Sequence, residues 1–183
     1  PTNARMHGEH NPAYTTVYAF DNDFPALLPG DPPASEPSPS PLLVSEPERG
    51  RCRVVCFHPN HSLTLARMAV PDITAVVDAW ADRTAALGAI DSVDYVFCFE
   101  NRGEEIGVTL SHPHGQIYGY PFVTPRTALM LRTLAEHCER TWRNLFDDVL
   151  ADETFVGRRI GRAAEHWTAC VPYAAHWPYE VHL

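Results

Sequence analysis

The stretch Ser111-His112-Pro113-His114-Gly115-Gln116-Ile117-Tyr118 decides how the rest of the 183-residue chain reads. Two imidazoles lie either side of a proline, and a glycine and a glutamine follow. In an extended backbone successive side chains alternate between faces, so His112, His114 and Gln116 share one face of a strand. A face that needs only solubility more naturally carries Thr, Lys or Glu. The competing reading is a turn made by Pro113 and Gly115 with both histidines solvated, and for an isolated His-x-His that reading has the greater weight. The flanking sequence decides between them.

Immediately upstream, Val93-Asp94-Tyr95-Val96-Phe97-Cys98-Phe99 is a nearly continuous apolar run, the pattern of a central strand. The polar turn Glu100-Asn101-Arg102-Gly103-Glu104-Glu105-Ile106-Gly107 joins it to the segment Val108 to Tyr120, and the two runs make an antiparallel pair. Further back, Gly50 to Phe57 alternates as a strand and ends in the turn His58-Pro59-Asn60-His61-Ser62. Thr15 to Phe20 is β-branched and aromatic, a short strand that runs into Asp21-Asn22-Asp23-Phe24-Pro25. There the Asn and Asp side chains favour turns and can also meet a sugar hydroxyl. Between these strands, residues 25–47 hold eight prolines with Ser, Glu and Gly, which reads as a long surface loop.

Pro71 and Asp72 open a helix whose apolar positions Ile73, Val76, Val77 and Trp80 carry it to Gly88. Pro125 starts a second, longer helix running through Leu129, Leu134, Cys138, Trp142 and Leu145 to Val149. His166 to Pro172 and Tyr179 to Leu183 read as two last strands. Strands and two main helices alternate without regular βαβ units, so the expected architecture is one α+β domain over residues 1–183 with an antiparallel sheet. Trp167, Trp177 and Tyr179 are assigned to packing, and Arg158, Arg159 and Arg162 to a solvated basic face. His7 and His10 read as solvated loop residues. His58, His137, His166, His176 and His182 read as surface or packed residues.

Composition bounds the function. Hydrophobic residues make up 45% and charged residues 20%, as in globular domains. A net charge of −9 argues against a nucleic-acid surface, which needs a basic patch, but leaves room for a nucleotide held by local donors. No run approaches a membrane span and no signal peptide opens the chain. The five cysteines, Cys52, Cys56, Cys98, Cys138 and Cys170, are scattered and odd in number, which suits reduced residues of a cytoplasmic protein. Pro1 is not a natural start and Leu183 stops in what reads as mid-strand, so the chain is expected to be a piece of a longer protein.

Several separate stretches now point one way. Asn22-Asp23-Phe24, Cys56-Phe57-His58-Pro59-Asn60-His61-Ser62, Phe99-Glu100-Asn101-Arg102-Gly103, His112-Pro113-His114-Gly115-Gln116, Glu165-His166-Trp167 and Val171-Pro172-Tyr173 occur in that order. Together they resemble the galactose-1-phosphate uridylyltransferase family of the histidine-triad superfamily, over nearly the whole chain and over the N-terminal half of that enzyme. Hydrolases of the superfamily place a third histidine where this chain has Gln116, as the transferase branch does.

The resemblance implies a histidine-triad-like domain that exchanges UMP between UDP-glucose and galactose 1-phosphate in galactose metabolism. His114 is then the nucleophile, and Gln116 holds a phosphoryl oxygen of the uridylylated intermediate. A neutral imidazole is a good nucleophile at pH 7, and its other ring nitrogen must donate, for instance to a backbone carbonyl, to hold the reactive tautomer. Asn101, Gly107, Val108 and Thr109 match the phosphate-contacting loop, Asn22 and Asp23 the ribose and uracil region, and Met6 a further nucleotide contact. His61 and His112 match two ligands of a structural zinc, whose Cys-x-x-Cys partners would precede Pro1. If so, Pro113 must break the strand alternation and turn His112 aside. A glutamate that binds a second metal in some relatives has no counterpart in Thr127-Ala128-Leu129-Met130-Leu131. A homodimer is implied, with the other half of the protein completing the site. Two alternatives stand beside this reading: an adenine-nucleotide transferase or phosphorylase of the same superfamily, and a nucleotide-binding module without turnover.

Overall fold

The computed structural model describes residues 4–6, 8–108 and 110–183. The chain divides into two compact units, Pro1–Thr124 and Pro125–Leu183.

The first unit is built on a four-stranded antiparallel sheet. Strands β1 (Tyr18–Asp21), β2 (Arg51–Cys56), β3 (Tyr95–Phe99) and β4 (His114–Tyr120) lie in the order β1-β2-β4-β3. Helix α1 (Val70–Gly88) begins with Pro71 in its first turn and packs on β3 and β4. Its buried Val76 and Leu87 meet Val55, Phe57, Met68 and Ile117, with Ile73, Trp80, Val96 and Cys98 at the margin. Each such side chain contributes about 1.5–3 kcal/mol by leaving water. Val77, assigned from its spacing to the same stripe, is instead exposed.

Strand β4 sits between β2 and β3, and its burial alternates residue by residue. Gly115, Ile117 and Gly119 face the core, so His114, Gln116, Tyr118 and Tyr120 occupy the other face. Their cross-strand partners, including Cys56 and Val54 on β2 and Phe99 and Phe97 on β3, share that face. The apolar run of β3 is not central as its composition predicts; it is an edge of this sheet. It is apolar on both faces for separate reasons. Val96 and Cys98 pack on the core, whereas Tyr95, Phe97 and Phe99 stack along the opposite face with centroids 6.3 and 5.1 Å apart. The segment between β1 and β2 forms no strand and is largely exposed, in keeping with its prolines.

In the second unit the expected long helix is two. Helix α2 (Pro125–Thr141) ends before Trp142, whose φ of 58° leaves the helical region, and α3 (Leu145–Val156) restarts after Asn144. The Asn144 side chain accepts from the Phe146 amide at 2.8 Å, a helix N-cap that apolar periodicity alone does not reveal. Asp148 accepts from His137 at 2.8 Å and from Arg143 Nε at 2.6 Å, and these bonds hold its carboxyl below the usual aspartate range. Strands β5 (Ile160–Ala163) and β6 (Thr168–Cys170) pair antiparallel. β5 lies within the expected basic face, and Arg159 is not solvated but donates to the buried Glu153 at 2.7 Å. The expected final strand reduces to one bridge between His182 and Cys170, while Tyr179 is exposed with a φ of 63°.

Gly115 fixes where β4 begins. A Cβ there would stand 2.7 Å from the Phe57 ring and 2.7 Å from the Phe99 carbonyl oxygen. A backbone oxygen and a buried ring cannot both retreat, so any side chain pushes β4 off its neighbours. Gly115→Ala is expected to cost about 1–3 kcal/mol of stability, the range of an overpacked core. Urea unfolding of the two chains checks this, and equal midpoints would refute the close approach.

Candidate active site

His114 is the first residue of β4, opposite Cys56 at the end of β2. Its Nδ1 lies 2.8 Å from the main-chain oxygen of His112. A carbonyl can only accept, so Nδ1 carries the proton and the neutral ring keeps its lone pair on Nε2. The donor partner expected from the sequence is therefore present.

His112 does not continue the strand. The chain bends there, Pro113 is fully buried, and the Pro113 carbonyl accepts from the Phe57 amide at 2.9 Å. The ring of His112 is gripped at both nitrogens, Nδ1 at 2.9 Å from Nδ1 of His61 and Nε2 at 2.8 Å from the Tyr14 hydroxyl. Burial, followed by the neighbouring His61, His114 and His58, pushes its pKa down to about 4, so His112 is neutral at physiological pH. The strand face expected to carry three polar groups does carry them: His112 lies outside the ladder, but its ring stays on the side of His114 and Gln116, where it meets Tyr14, itself stacked on Tyr18 of that face, so Pro113 does not turn it aside.

The turn from His58 to Ser62 presents His61. The Asn60 amide donates to His58 Nδ1 at 3.0 Å, and the Asn60 side chain accepts from the Ser62 amide at 2.9 Å. Two imidazole nitrogens on one tetrahedral zinc, at about 2.0–2.1 Å each, stand roughly 3.3 Å apart. His61 and His112 need to spread by only a few tenths of an ångström to meet that spacing, so they fit as two ligands of four. Among the described residues no third His, Cys, Asp or Glu joins them.

Two clefts meet at His112 and His114. One, of about 170 Å³, is lined by Glu100, Asn101, Arg102, Val108 and Ser111. The other, of about 240 Å³, is lined by Arg5, Asn11, Tyr14, Phe20, Asp23 and His61. Of the residues singled out in the sequence, Asn101 and Val108 line the first and Asp23 the second. Asp23 accepts from Arg5 Nε at 3.1 Å and from the Met6 amide at 3.1 Å, so Met6 reaches it through its backbone while its side chain is exposed. Asn22 points elsewhere: its side chain accepts from the Phe24 amide at 3.0 Å, and it lines a separate pocket with Pro25 and Arg51. Gly107 closes the turn in a left-handed conformation (φ 81°) and lines neither cleft, nor does Gln116, which lies one alternation further along β4. Thr109 lies outside the described residues.

Three contributors went unassigned in the sequence. Tyr14 grips His112, Arg5 grips Asp23, and Glu100 lines the first cleft. Burial raises the Glu100 carboxyl, partly offset by its neighbours Arg102 and His114. Glu100 was legible as part of a motif, but nothing in the sequence marks Tyr14 or Arg5, whose partners lie far off in the chain.

The fold and this site define the class: a histidine-triad-like domain whose free imidazole lone pair and following glutamine suit nucleotidyl transfer. A family model described as galactose-1-phosphate uridyl transferase, N-terminal domain, matches residues 1–124, and the chain belongs to that family. It is 53% identical over 176 residues to the galactose-1-phosphate uridylyltransferase of Streptomyces lividans, covering 96% of this chain and 44% of that one. It is 42% identical over 192 residues to the enzyme of the same name from Cryptococcus neoformans, covering 100% and 50%. A solved uridylyltransferase structure superposes with a TM-score of 0.82 at 30% identity, over 94% of this chain and 54% of that one. The chain therefore spans about half the length of the relatives it matches. No helix among the described residues is long and apolar enough to cross a membrane.

Proposed function

We propose that this chain supplies the nucleophilic half of a UDP-glucose–hexose-1-phosphate uridylyltransferase, exchanging UMP between UDP-glucose and galactose 1-phosphate. The observation that carries the reading is the bond from His114 Nδ1 to the His112 carbonyl at 2.8 Å, which sets the tautomer of the neutral ring with its lone pair on Nε2. The Nε2 lone pair attacks the α-phosphorus of UDP-glucose. As the N–P bond forms, the bond from that phosphorus to the bridging oxygen breaks, and glucose 1-phosphate leaves with the electron pair. A phosphate oxygen of galactose 1-phosphate then attacks the same phosphorus, the N–P bond breaks, and UDP-galactose departs.

The two clefts flanking His114 suit a substrate whose reacting phosphorus is central, with one arm on either side. Gln116, uncharged, holds a phosphoryl oxygen without serving as a base for water, which favours transfer over hydrolysis. In this reading the 183 residues act as the N-terminal half of a two-domain, cytoplasmic enzyme, and the other half completes the hexose site. The enzyme is a homodimer; light scattering on the full-length protein giving a monomer mass would contradict that part.

His61 and His112 would hold a structural zinc as two of its ligands, and the ion would anchor the His58–Ser62 turn to the chain before β4. Metal analysis of the full-length protein should find about one zinc per chain, and His61→Ala should lose it. Retention of zinc in that variant refutes the ligand assignment.

Incubation with UDP-glucose labelled in the uracil should give a base-stable, acid-labile adduct on His114 that is absent in His114→Ala. Labelling from ADP-glucose alone would instead select the adenine-nucleotide reading, and binding with no adduct a non-catalytic module. In the same assay Gln116→His should shift the partition from transfer toward hydrolysis, and an unchanged partition would sink the proposed role of Gln116.

A further inference from the structure

The peptide whose oxygen accepts from His114 Nδ1 joins His112 to Pro113, so it has no N–H to help fix its plane. Its direction rests on the residues at its two ends. At one end Pro113 is fully buried and its own carbonyl is held by the Phe57 amide. At the other end the His112 side chain is held at both ring nitrogens, by His61 and by the Tyr14 hydroxyl. Tyr14 is itself well anchored. Its ring stacks on Tyr18 of β1 with centroids 5.5 Å apart, and its hydroxyl lies against Cys56, the cross-strand partner of His114. With Nδ1 held by His61 or by a zinc ion between the two rings, the Tyr14 hydroxyl on Nε2 is the second point that stops the ring pivoting about the first, and without it the peptide that follows gains the same freedom.

We propose that Tyr14 is a positioning residue for His114: by holding Nε2 of His112 it aims the main-chain carbonyl that receives the His114 Nδ1–H. Tyr14 touches no reacting atom in this role. It acts through the ring of His112, then through the 112–113 peptide, on the tautomer and direction of the His114 ring. The effect on rate rests on the uridylyl-transfer reading; the effect on the tautomer does not.

The test is Tyr14→Phe, which keeps the stacked ring and removes only the hydroxyl. Nitrogen-15 NMR of the histidine rings in the unsubstituted chain should show His114 protonated at Nδ1, and in Tyr14→Phe a measurable share should move to the Nε2–H form. The rate of adduct formation from UDP-glucose should fall about tenfold at saturating substrate, the loss of one net hydrogen bond, with KM nearly unchanged. A His114 tautomer population identical in both chains overturns the inference, whatever the rate does. Absence of adduct from both chains would count against the transfer reading, while the tautomer populations would still decide the role of Tyr14. Should Tyr14→Phe fail to fold, 3-fluorotyrosine at position 14 alters the hydroxyl without removing it. The His112 Nε2 and His114 Nδ1 resonances should then shift together, and a stationary His114 resonance overturns the inference.

Discussion

The Nδ1–H of His114 donates across Pro113 to the carbonyl of His112 at 2.8 Å, and the surrounding elements are arranged so that this bond has one geometry. Gly115 lets β4 approach Phe57 and Phe99 closely enough for the strand to start at His114. The assigned strand starts just after Pro113, and His112 stays on the same side of the sheet as His114. His61 and Tyr14 hold the His112 ring from both sides. Remove any of these and His114 keeps its place in the sequence but loses the fixed tautomer that makes its lone pair available.

That arrangement also explains why two histidines so close in sequence have opposite characters. His112 is buried among other imidazoles, which forces it neutral and suits it to hold structure or a metal. His114 is half-buried between two clefts, so a substrate phosphorus can reach it from solvent. The aromatic row on β3 and β4 continues the same sheet face beyond Gln116, so the polar groups occupy the end of an otherwise apolar surface.

What could be read from the sequence divides along physical lines. Elements specified by local periodicity were legible: α1 over Val70–Gly88, β2, and the antiparallel pairing of β3 with β4. The expected turning-aside of His112 does not occur: the Phe57 amide still bonds the Pro113 carbonyl, and the His112 ring stays on the side of His114, against Tyr14. Elements specified by a single side-chain contact were not legible. The break between α2 and α3 depends on the Asn144 cap, and β5 on its pairing with β6. The edge position of β3 was not legible because stacking aromatics and core residues give the same apolar run. Within the site, Asp23, Asn101 and Val108 come to the clefts as the motifs suggested. Asn22 is taken up by its own turn, and Tyr14 and Arg5 act through partners far away in the chain, which no spacing rule encodes.

Everything in this mechanism depends on which nitrogen of which histidine carries the nucleotide. Phosphorus NMR of the isolated adduct, with selectively labelled histidine nitrogens, distinguishes the two ring positions directly. The bond from Nδ1 to the His112 carbonyl predicts a phosphorus–nitrogen coupling to Nε2 of His114. Coupling to Nδ1, or to any nitrogen of His112 or His61, would contradict it.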